Sequence, residues 1–456
     1  MEMVAQQLIS LERKTRTFSE LVRDKIDGET EAALQHLDSE EDEFYDAVDH
    51  NSALLKKSSP ETPNASEGSQ LQEKVMDLSS YRTQLPSNKS NKPLNVWKFL
   101  KDCIGKDFSK IAMPIVLNEP LSGTQRFAED LENAYLLTRA AQQATSVERL
   151  LYICCFVVAL YKNTSRTGKP FNPLLGETYE FDLMEDRNYG FRVCCEQVSH
   201  HPPITAVHAE GNGWTFYKQV DLKSRFRGKT LEITPVGTLH VRMGQEHYTW
   251  SCLTSTVNNI IIGTLWVDAG GELLIKNHQT KDYAVLNFER YSYFSSSKIG
   301  TIKGTVYSDG DTPHFDIVGN WKDGIASARP HGKEKYQTLW EKFAPPSNYE
   351  KQFYFSKFTI ILNELRPGME SCLPKTDARF RPDLRAYEEG KVEKGQSIKD
   401  WLEDKQRQHK KEREAKGEKW KPLWFEYKYD NDLNEFCWLF TGEYWKRNFE
   451  KVPDIY

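Results

Sequence analysis

Two adjacent histidines, His200 and His201, stand in the stretch Glu196-Gln197-Val198-Ser199-His200-His201-Pro202-Pro203. Paired imidazoles can ligate a metal, run acid–base chemistry or grip an anion such as phosphate. The stretch reads as a strand that stops. Val198 and its neighbours favour extended structure, and Pro202 biases His201 toward the β or polyproline region while withholding a ladder hydrogen bond. Side chains alternate across a strand, which predicts Glu196, Val198 and His200 on one face and Gln197, Ser199 and His201 on the other. That division disfavours a metal, which needs three or four convergent ligands. His208 is near, but no CxxC or HExxH accompanies it. Taken alone, the octapeptide leaves a structural role, anion binding, and metal or catalytic work all open.

Two further sets of residues could join such chemistry. In Lys169-Pro170-Phe171-Asn172-Pro173-Leu174-Leu175-Gly176-Glu177-Thr178, Lys169 and Asn172 can offer an ammonium and an amide donor from a rigid loop, a combination suited to phosphate. The same residues also fit a surface turn with a solvated lysine. On a charged helix predicted from Ser397 to Lys416, Lys399, Glu403 and Arg407 step by four, a stripe drifting ~80° over two turns. As plain i,i+4 ion pairs they would contribute a few tenths of a kcal/mol each. No GxSxG elbow, P-loop or zinc signature occurs, so neither an enzyme nor a cofactor or metal is expected.

The 456 residues suit one large domain with accessory segments, or two ordinary domains. A net charge of -5 gives no bulk drive toward nucleic acid, so contact with anionic membranes would rest on local basic patches. The eight cysteines include the adjacent pairs Cys154-Cys155 and Cys194-Cys195 without metal spacing, and read as reduced and cytosolic. Met1 precedes an acidic, amphipathic stretch with no apolar leader core. The longest apolar run, Leu150 to Tyr161, is too short to span a bilayer. A soluble protein with peripheral membrane contact is expected.

Along the chain, residues 1–35 carry Val4, Leu8, Leu11, Phe18, Val22 and Ile26 at three- and four-residue steps. They predict a coiled-coil-like helix that either pairs as a homodimer or lies on the main domain. Residues 36–50 are acidic with two aromatics. Exposed aromatics in such a run, here Phe44 and Tyr45, call for something that binds them. Residues 51–92 turn to Ser, Pro, Asn, Lys and Gln and read as a flexible linker. Residues 93–111 are amphipathic, with Trp97, Leu100, Ile104, Phe108 and Ile111 as the apolar set. Helix is expected from about Ser122 to about Tyr161, with Phe127, Leu131, Leu136, Leu137 and Leu151 in the core. From Tyr179 to about Trp321, short alternating runs such as Leu239-His240-Val241-Arg242, punctuated by glycines, predict an antiparallel meander closing into a barrel or curled sheet. Pro374 to Asp383 reads as a basic, proline-bounded loop. Trp420, Trp424, Tyr427, Trp438 and Trp445 form an aromatic C-terminal region expected to pack on the barrel.

The octapeptide as a whole is far more specific than its parts. Together with Lys169–Thr178, Met113-Pro114-Ile115 through Asn118-Glu119-Pro120-Leu121-Ser122, Pro374–Asp383 and the Lys399, Glu403, Arg407 spacing, it resembles the family of the oxysterol-binding protein and its related proteins. The similarity runs from about Pro93 to Asp454-Ile455-Tyr456 and is strongest to the oxysterol-binding protein itself. It implies an α+β, β-dominated fold over 93–456: a near-complete antiparallel β-barrel around a lipid tunnel, with a lid at 93–111, N-terminal helices and a helical C-terminal region. It implies that Lys169, Asn172, His200, His201, Lys399, Glu403 and Arg407 hold a phosphoinositide head group. The function implied is exchange of a sterol and phosphatidylinositol 4-phosphate between membranes, a lipid sensor or a carrier of another second lipid being the alternatives. Glu43, Phe44, Tyr45, Asp46, Ala47 and Asp49 resemble the two-phenylalanine acidic motif read by VAMP-associated proteins of the endoplasmic reticulum, with Tyr45 for the second Phe and Asp49 for the final Glu. Acidic residues would steer it to a basic groove whose pockets Phe44 and Ala47 fill. Localisation at endoplasmic reticulum contact sites follows from that resemblance. The upstream stretch is too short, and lacks the strand patterning, for a pleckstrin-homology domain.

Overall fold

Apolar residues alternating with polar ones from Tyr179 onward build one antiparallel meander. The computed structural model describes residues 76–89, 114–186, 190–227, 229–260, 264–292, 298–430 and 435–456. The chain divides into two units, Met1–Asn64 and Ala65–Tyr456, and all described residues belong to the second. Strands β1 (Asn118–Ser122) and β2 (Lys169–Phe171) form a small parallel pair. The main sheet has fifteen strands. They are β3 (Thr178–Asp182), β4 (Phe191–His200), β5 (Pro203–Gly211), β6 (Trp214–Phe226), β7 (Leu231–Val236), β8 (Thr238–Met243), β9 (Glu246–Ser251) and β10 (Ser255–Asn258). There follow β11 (Trp266–Ala269), β12 (Gly271–Asn277), β13 (Tyr283–Phe288), β14 (Thr301–Ser308), β15 (Thr312–Asn320), β16 (Ile325–Pro330) and β17 (Gln337–Glu341).

Several of these strands are halves of one pass. β7 and β8 both run antiparallel to β6 in a single register, Val236 opposite Asp221 and Leu239 opposite Lys218. Gly237 alone interrupts them. Its φ is +129°, and a Cβ there would lie 2.6 Å from the Gln219 carbonyl oxygen, so only glycine lets the chain pass so close to β6. β10 continues β9 beyond Cys252–Thr254 with the register shifted by one residue, and β12 continues β11 across Gly270. The expected barrel is therefore an open meander among the described residues, with β3 and β17 at its edges and not paired to each other.

Helices pack against this sheet. They are α1 (Gly123–Ala128), α2 (Tyr135–Ala141) and α3 (Ser146–Leu160) on the N-terminal side, then α4 (Lys357–Ile361), α5 (Pro382–Glu388) and α6 (Val392–Ala415). Thr145 caps α3 by accepting the Glu148 backbone N–H, with the Glu148 side chain returning to the Thr145 N–H. The apolar run Leu150–Ala159 is apolar on nearly every face because α3 is enclosed: it packs across β13 to β17, and Phe156 meets Phe216 edge-on at 5.7 Å. Leu131, Leu136, Leu137 and Leu151 are core as expected, whereas Phe127 is half-buried under the Lys218 ammonium.

Four sequence expectations need correction. Part of the supposed linker, residues 76–89, packs on the domain: Met76 and Leu85 are buried, and Arg82 pairs with Glu388. Its few apolar residues were diluted in a polar composition. The basic loop Pro374–Asp383 does not offer its arginines to a partner, since Arg379 and Arg381 are buried and spent on Asp377, Glu177 and Asp383. Strands continue past Trp321 to Glu341. The C-terminal region is helical only in part: α5 and α6 are followed by a hairpin, β18 (Phe425–Asp430) and β19 (Glu435–Phe440), whose Phe440 stacks on His208, and then by a 3-10 turn at Glu443–Lys446. Trp424 is buried there while Tyr427 is exposed. The predicted helix 1–35, the acidic motif 43–49 and the segment 93–111 lie outside the described residues. No described helix is long and apolar enough to cross a membrane.

If α3 is core, Phe156→Ala should cost about 3–5 kcal/mol, seen as a lower midpoint in urea denaturation followed by circular dichroism. An unchanged midpoint would mean the helix is not part of the cooperative unit.

Candidate functional site

The loop between β2 and β3 is held from beneath by a buried ion cluster. Arg381, at the start of α5, donates from Nη1 to the Asn172 carbonyl at 2.7 Å and to Glu177 Oε2 at 3.0 Å. Its Nε and Nη2 take both oxygens of Asp383 at 2.8 and 3.0 Å. Glu177 also accepts from the Ser122 and Thr124 hydroxyls and the Leu174 N–H, so its lone pairs are filled although it is 0% exposed. Gly176 is left-handed at φ +82°, and the Trp420 ring occupies the space a Cβ would need, 2.7 Å away. A rigid edge results, with Lys169 and Asn172 displayed at its exposed side.

Helix α6 lies along that edge. Lys399 is buried and donates to Glu403 at 2.6 Å. Lys169 faces the same pair from the exposed side: the dense protein around its ammonium and then the Lys399 ammonium lower its pKa, with Glu403 opposing. The spot holds two ammonium groups and one carboxylate, so the cations remain under-neutralised and repel each other. One turn further on, Gln406 bridges to the histidines. Its Oε1 accepts the Leu175 backbone N–H at 2.8 Å, and its Nε2 lies 2.9 Å from His200 Nε2.

That bridge sets the state of His200. The Leu175 N–H can only donate, which fixes the amide orientation, so the Gln406 NH2 donates to His200 Nε2. His200 Nε2 is therefore unprotonated and Nδ1 carries the ring proton. Burial, then the neighbouring His201 and Lys410, pull its pKa down to about 4. His200 Nδ1 is a buried donor with no acceptor among the described residues. His201 packs edge-on against it at 4.6 Å between ring centroids and is itself exposed.

The structure thus brings together Lys169, Lys399 and Glu403, and next to them His200 and His201 through Gln406. Asn172 sits on the same loop with its backbone carbonyl engaged by Arg381. Arg407 is not drawn in: its side chain is 62% exposed and paired with Asp404 at 2.5 Å. It lies only about 40° round the helix from Glu403, so the ion pair with Asp404, not helix geometry, holds its guanidinium away from the cluster. The predicted alternation of the octapeptide also fails. The register with β5 slips at a bulge between Gln197 and Ser199, so His200 no longer shares the face of Glu196. Glu196 serves elsewhere, accepting the Leu423 and Trp424 N–H groups at 2.8 and 2.9 Å and so anchoring the C-terminal region. Gln406 and Arg381 escaped sequence reading. The first is three residues from Glu403, on the same helical face, which is the one sign that could have revealed it.

With this geometry in view, similarity to known proteins becomes informative. The family model described as oxysterol-binding protein matches residues 95–449. The chain belongs to that family. It is 38% identical over 409 residues to mouse (Mus musculus) oxysterol-binding protein 2, covering 82% of this chain and 44% of that protein. It is 34% identical over 513 residues to human (Homo sapiens) oxysterol-binding protein-related protein 1, covering 98% of this chain and 53% of that protein. The chain thus spans about half the length of these two relatives. Human oxysterol-binding protein-related protein 2 is 36% identical over 429 residues, with 83% and 88% covered. Among solved structures, the Osh1 ORD domain in complex with cholesterol superposes with a TM-score of 0.76 at 30% identity, covering 87% of this chain and all (100%) of that one. The Osh3 ORD in complex with PI(4)P from Saccharomyces cerevisiae does so with a TM-score of 0.70 at 32% identity, covering 82% and 99%. The fold is thus shared with domains solved in complex with cholesterol and with PI(4)P.

His200 should stay neutral, with its proton on Nδ1, as pH falls from 6.5 to about 4. The unfolded ring binds its proton first in that window, so the stability contributed by neutral His200 is present above 6.5 and lost on the way down. Imidazole 15N shifts followed by NMR check this; an ordinary midpoint near 6.5 would contradict the Gln406 bridge.

Proposed function

We propose that this chain is a lipid-exchange protein that carries a sterol one way and phosphatidylinositol 4-phosphate the other. Lys169, Asn172, His200, His201, Lys399 and Glu403 receive the inositol phosphate in this reading, and Arg407 joins by swinging in from its exposed pair with Asp404. One observation carries it: two mutually repelling ammonium groups share a single carboxylate beside a buried His200 Nδ1–H that lacks an acceptor. A phosphate monoester brings about −1.5 to −2 charge and three acceptor oxygens, which answers both needs at once. Glu403 orients the cations or accepts an inositol hydroxyl. Cholesterol in the Osh1 domain and PI(4)P in the Osh3 domain support lipids of these two kinds.

The energetics favour a carrier. A sterol hides several hundred Å² of apolar surface, so entering water costs on the order of 10 kcal/mol at ~25 cal/mol/Å². An apolar interior under the 93–111 segment, with Trp97, Leu100, Ile104, Phe108 and Ile111 facing the lipid, removes that cost. The acidic motif Glu43, Phe44, Tyr45, Asp46, Ala47 and Asp49 would recruit a VAMP-associated protein and so place the exchange at the endoplasmic reticulum.

Two vesicle populations test the reading, one holding a fluorescent sterol and the other phosphatidylinositol 4-phosphate. The phosphoinositide should accelerate net sterol movement and be carried back. Replacing both His200 and His201 with Ala should abolish phosphoinositide transfer and leave sterol binding near intact. Lys399→Ala should weaken head-group binding by roughly 10- to 150-fold, one charge-assisted hydrogen bond of about 1.5–3 kcal/mol. Equal loss of both lipids in the double variant would make the pair structural, and transfer of phosphoinositide without sterol would assign a different second lipid.

A further inference from the structure

Strand alternation places Leu239 and Val241 in the core and His240 and Arg242 on the opposite face of β8. A face of that composition would ordinarily meet water. Here the C-terminal hairpin reaches it. Asp430, the last residue of β18, comes against Tyr217 of β6, His240 of β8 and His247 of β9, and Asp430, His240 and His247 are 6%, 2% and 0% exposed. Four strands therefore bring two imidazoles, a carboxylate and a phenol to one buried spot.

The distances are close to those of a coordination shell. His240 Nδ1 lies 3.1 Å from His247 Nε2, while the Tyr217 hydroxyl lies 3.3 Å from both His247 Nε2 and Asp430 Oδ2. The donor atoms of His240, His247 and Asp430 all fall within 4.8 Å of one another. Donors around tetrahedral zinc, bonded at about 2.0–2.2 Å, stand roughly 3.2–3.6 Å apart. The backbone is held in place as well: the His247 N–H donates to Gln279 Oε1 at 2.5 Å, and the Tyr217 and His240 rings stack at 4.2 Å.

We propose that His240, His247 and Asp430, with the Tyr217 oxygen as fourth donor, form a site for a zinc ion. Imidazole and carboxylate donors without thiolate suit zinc or another late first-row divalent ion. With zinc on Nδ1, His240 carries its ring proton on Nε2. Arg242, which donates to the Tyr217 oxygen at 3.2 Å and lies 3.5 Å from Asp430 Oδ2, competes for the carboxylate. Its side chain is 39% exposed and has room to withdraw. Because Asp430 belongs to the hairpin and the histidines to the main sheet, the ion would fasten one to the other. This site shares no residue with the phosphoinositide site and stands or falls separately from it.

The test uses the full chain, stripped with a chelator and titrated with zinc chloride against a chromogenic competitor. Wild type should take up zinc in one-to-one ratio with a rise in melting temperature. Asp430→Asn and His240→Gln, which keep shape and hydrogen-bonding capacity, should each weaken that binding tenfold or more. Cobalt loading should give the visible bands of four-coordinate cobalt without thiolate-to-metal charge transfer, which separates this site from the eight cysteines. No uptake, uptake equal in wild type and variants, or a thiolate signature would each overturn the proposal and leave a hydrogen-bonded network in which His240 donates to His247 and Tyr217 to Asp430. Should a variant fail to fold, the wild-type cobalt spectrum decides alone.

Discussion

Arg381 is the group on which the rest of the site depends. Its guanidinium, 2% exposed, is met by carboxylates on two sides and by the Asn172 carbonyl on a third. A buried cation so fully coordinated adds little net stability over an apolar replacement, because desolvation offsets the attraction. What it adds is position. The cluster ties α5 to the proline-punctuated loop before β3, and that loop in turn supplies the Leu175 N–H that orients Gln406 and through it His200. Removing either carboxylate would leave a buried charge uncompensated, and the error would pass along the loop to the histidine ring.

The site also illustrates how different charges are used. Lys399, buried against Glu403, and Lys169, crowded by both, are held in a state that an added anion relieves. His200 contributes differently: it is neutral, and it offers a proton without offering charge. This end of the domain thus separates electrostatic attraction, supplied by lysines, from directional hydrogen bonding, supplied by an imidazole whose tautomer is fixed through Gln406 by a backbone amide.

Much of this was legible in the sequence, and the failures have physical causes. Alternation and glycines marked the meander, and the apolar run at Leu150–Tyr161 marked α3. Lys169, His200, Lys399 and Glu403 were singled out by the spacing of family-like motifs, and the fold places Lys169 by Lys399 and Glu403, with Gln406 reaching His200. Alternation misled at Val198 because a bulge inserts one residue without any local signature that composition would show. The burial of Arg379 and Arg381 was not legible in the basic loop because an ion pair's burial depends on partners far away in sequence, Glu177 lying on a different element. Met76 and Leu85 were lost in a polar average for the same reason: two side chains suffice to dock a segment, and a window of forty residues cannot register two.

The three interrupted passes of the sheet lie side by side. Gly237 falls opposite the end of β9, and the gap between β9 and β10 leads on to Gly270, while β6 on one flank runs through unbroken. The interruptions join into a crease crossing three neighbouring passes. Ladder hydrogen bonds are missing along that line, and two of its three breaks fall at glycines, Gly237 and Gly270. A sheet bends with least resistance where its ladder is broken, so the line is where the meander can turn without straining the strands on either side of it.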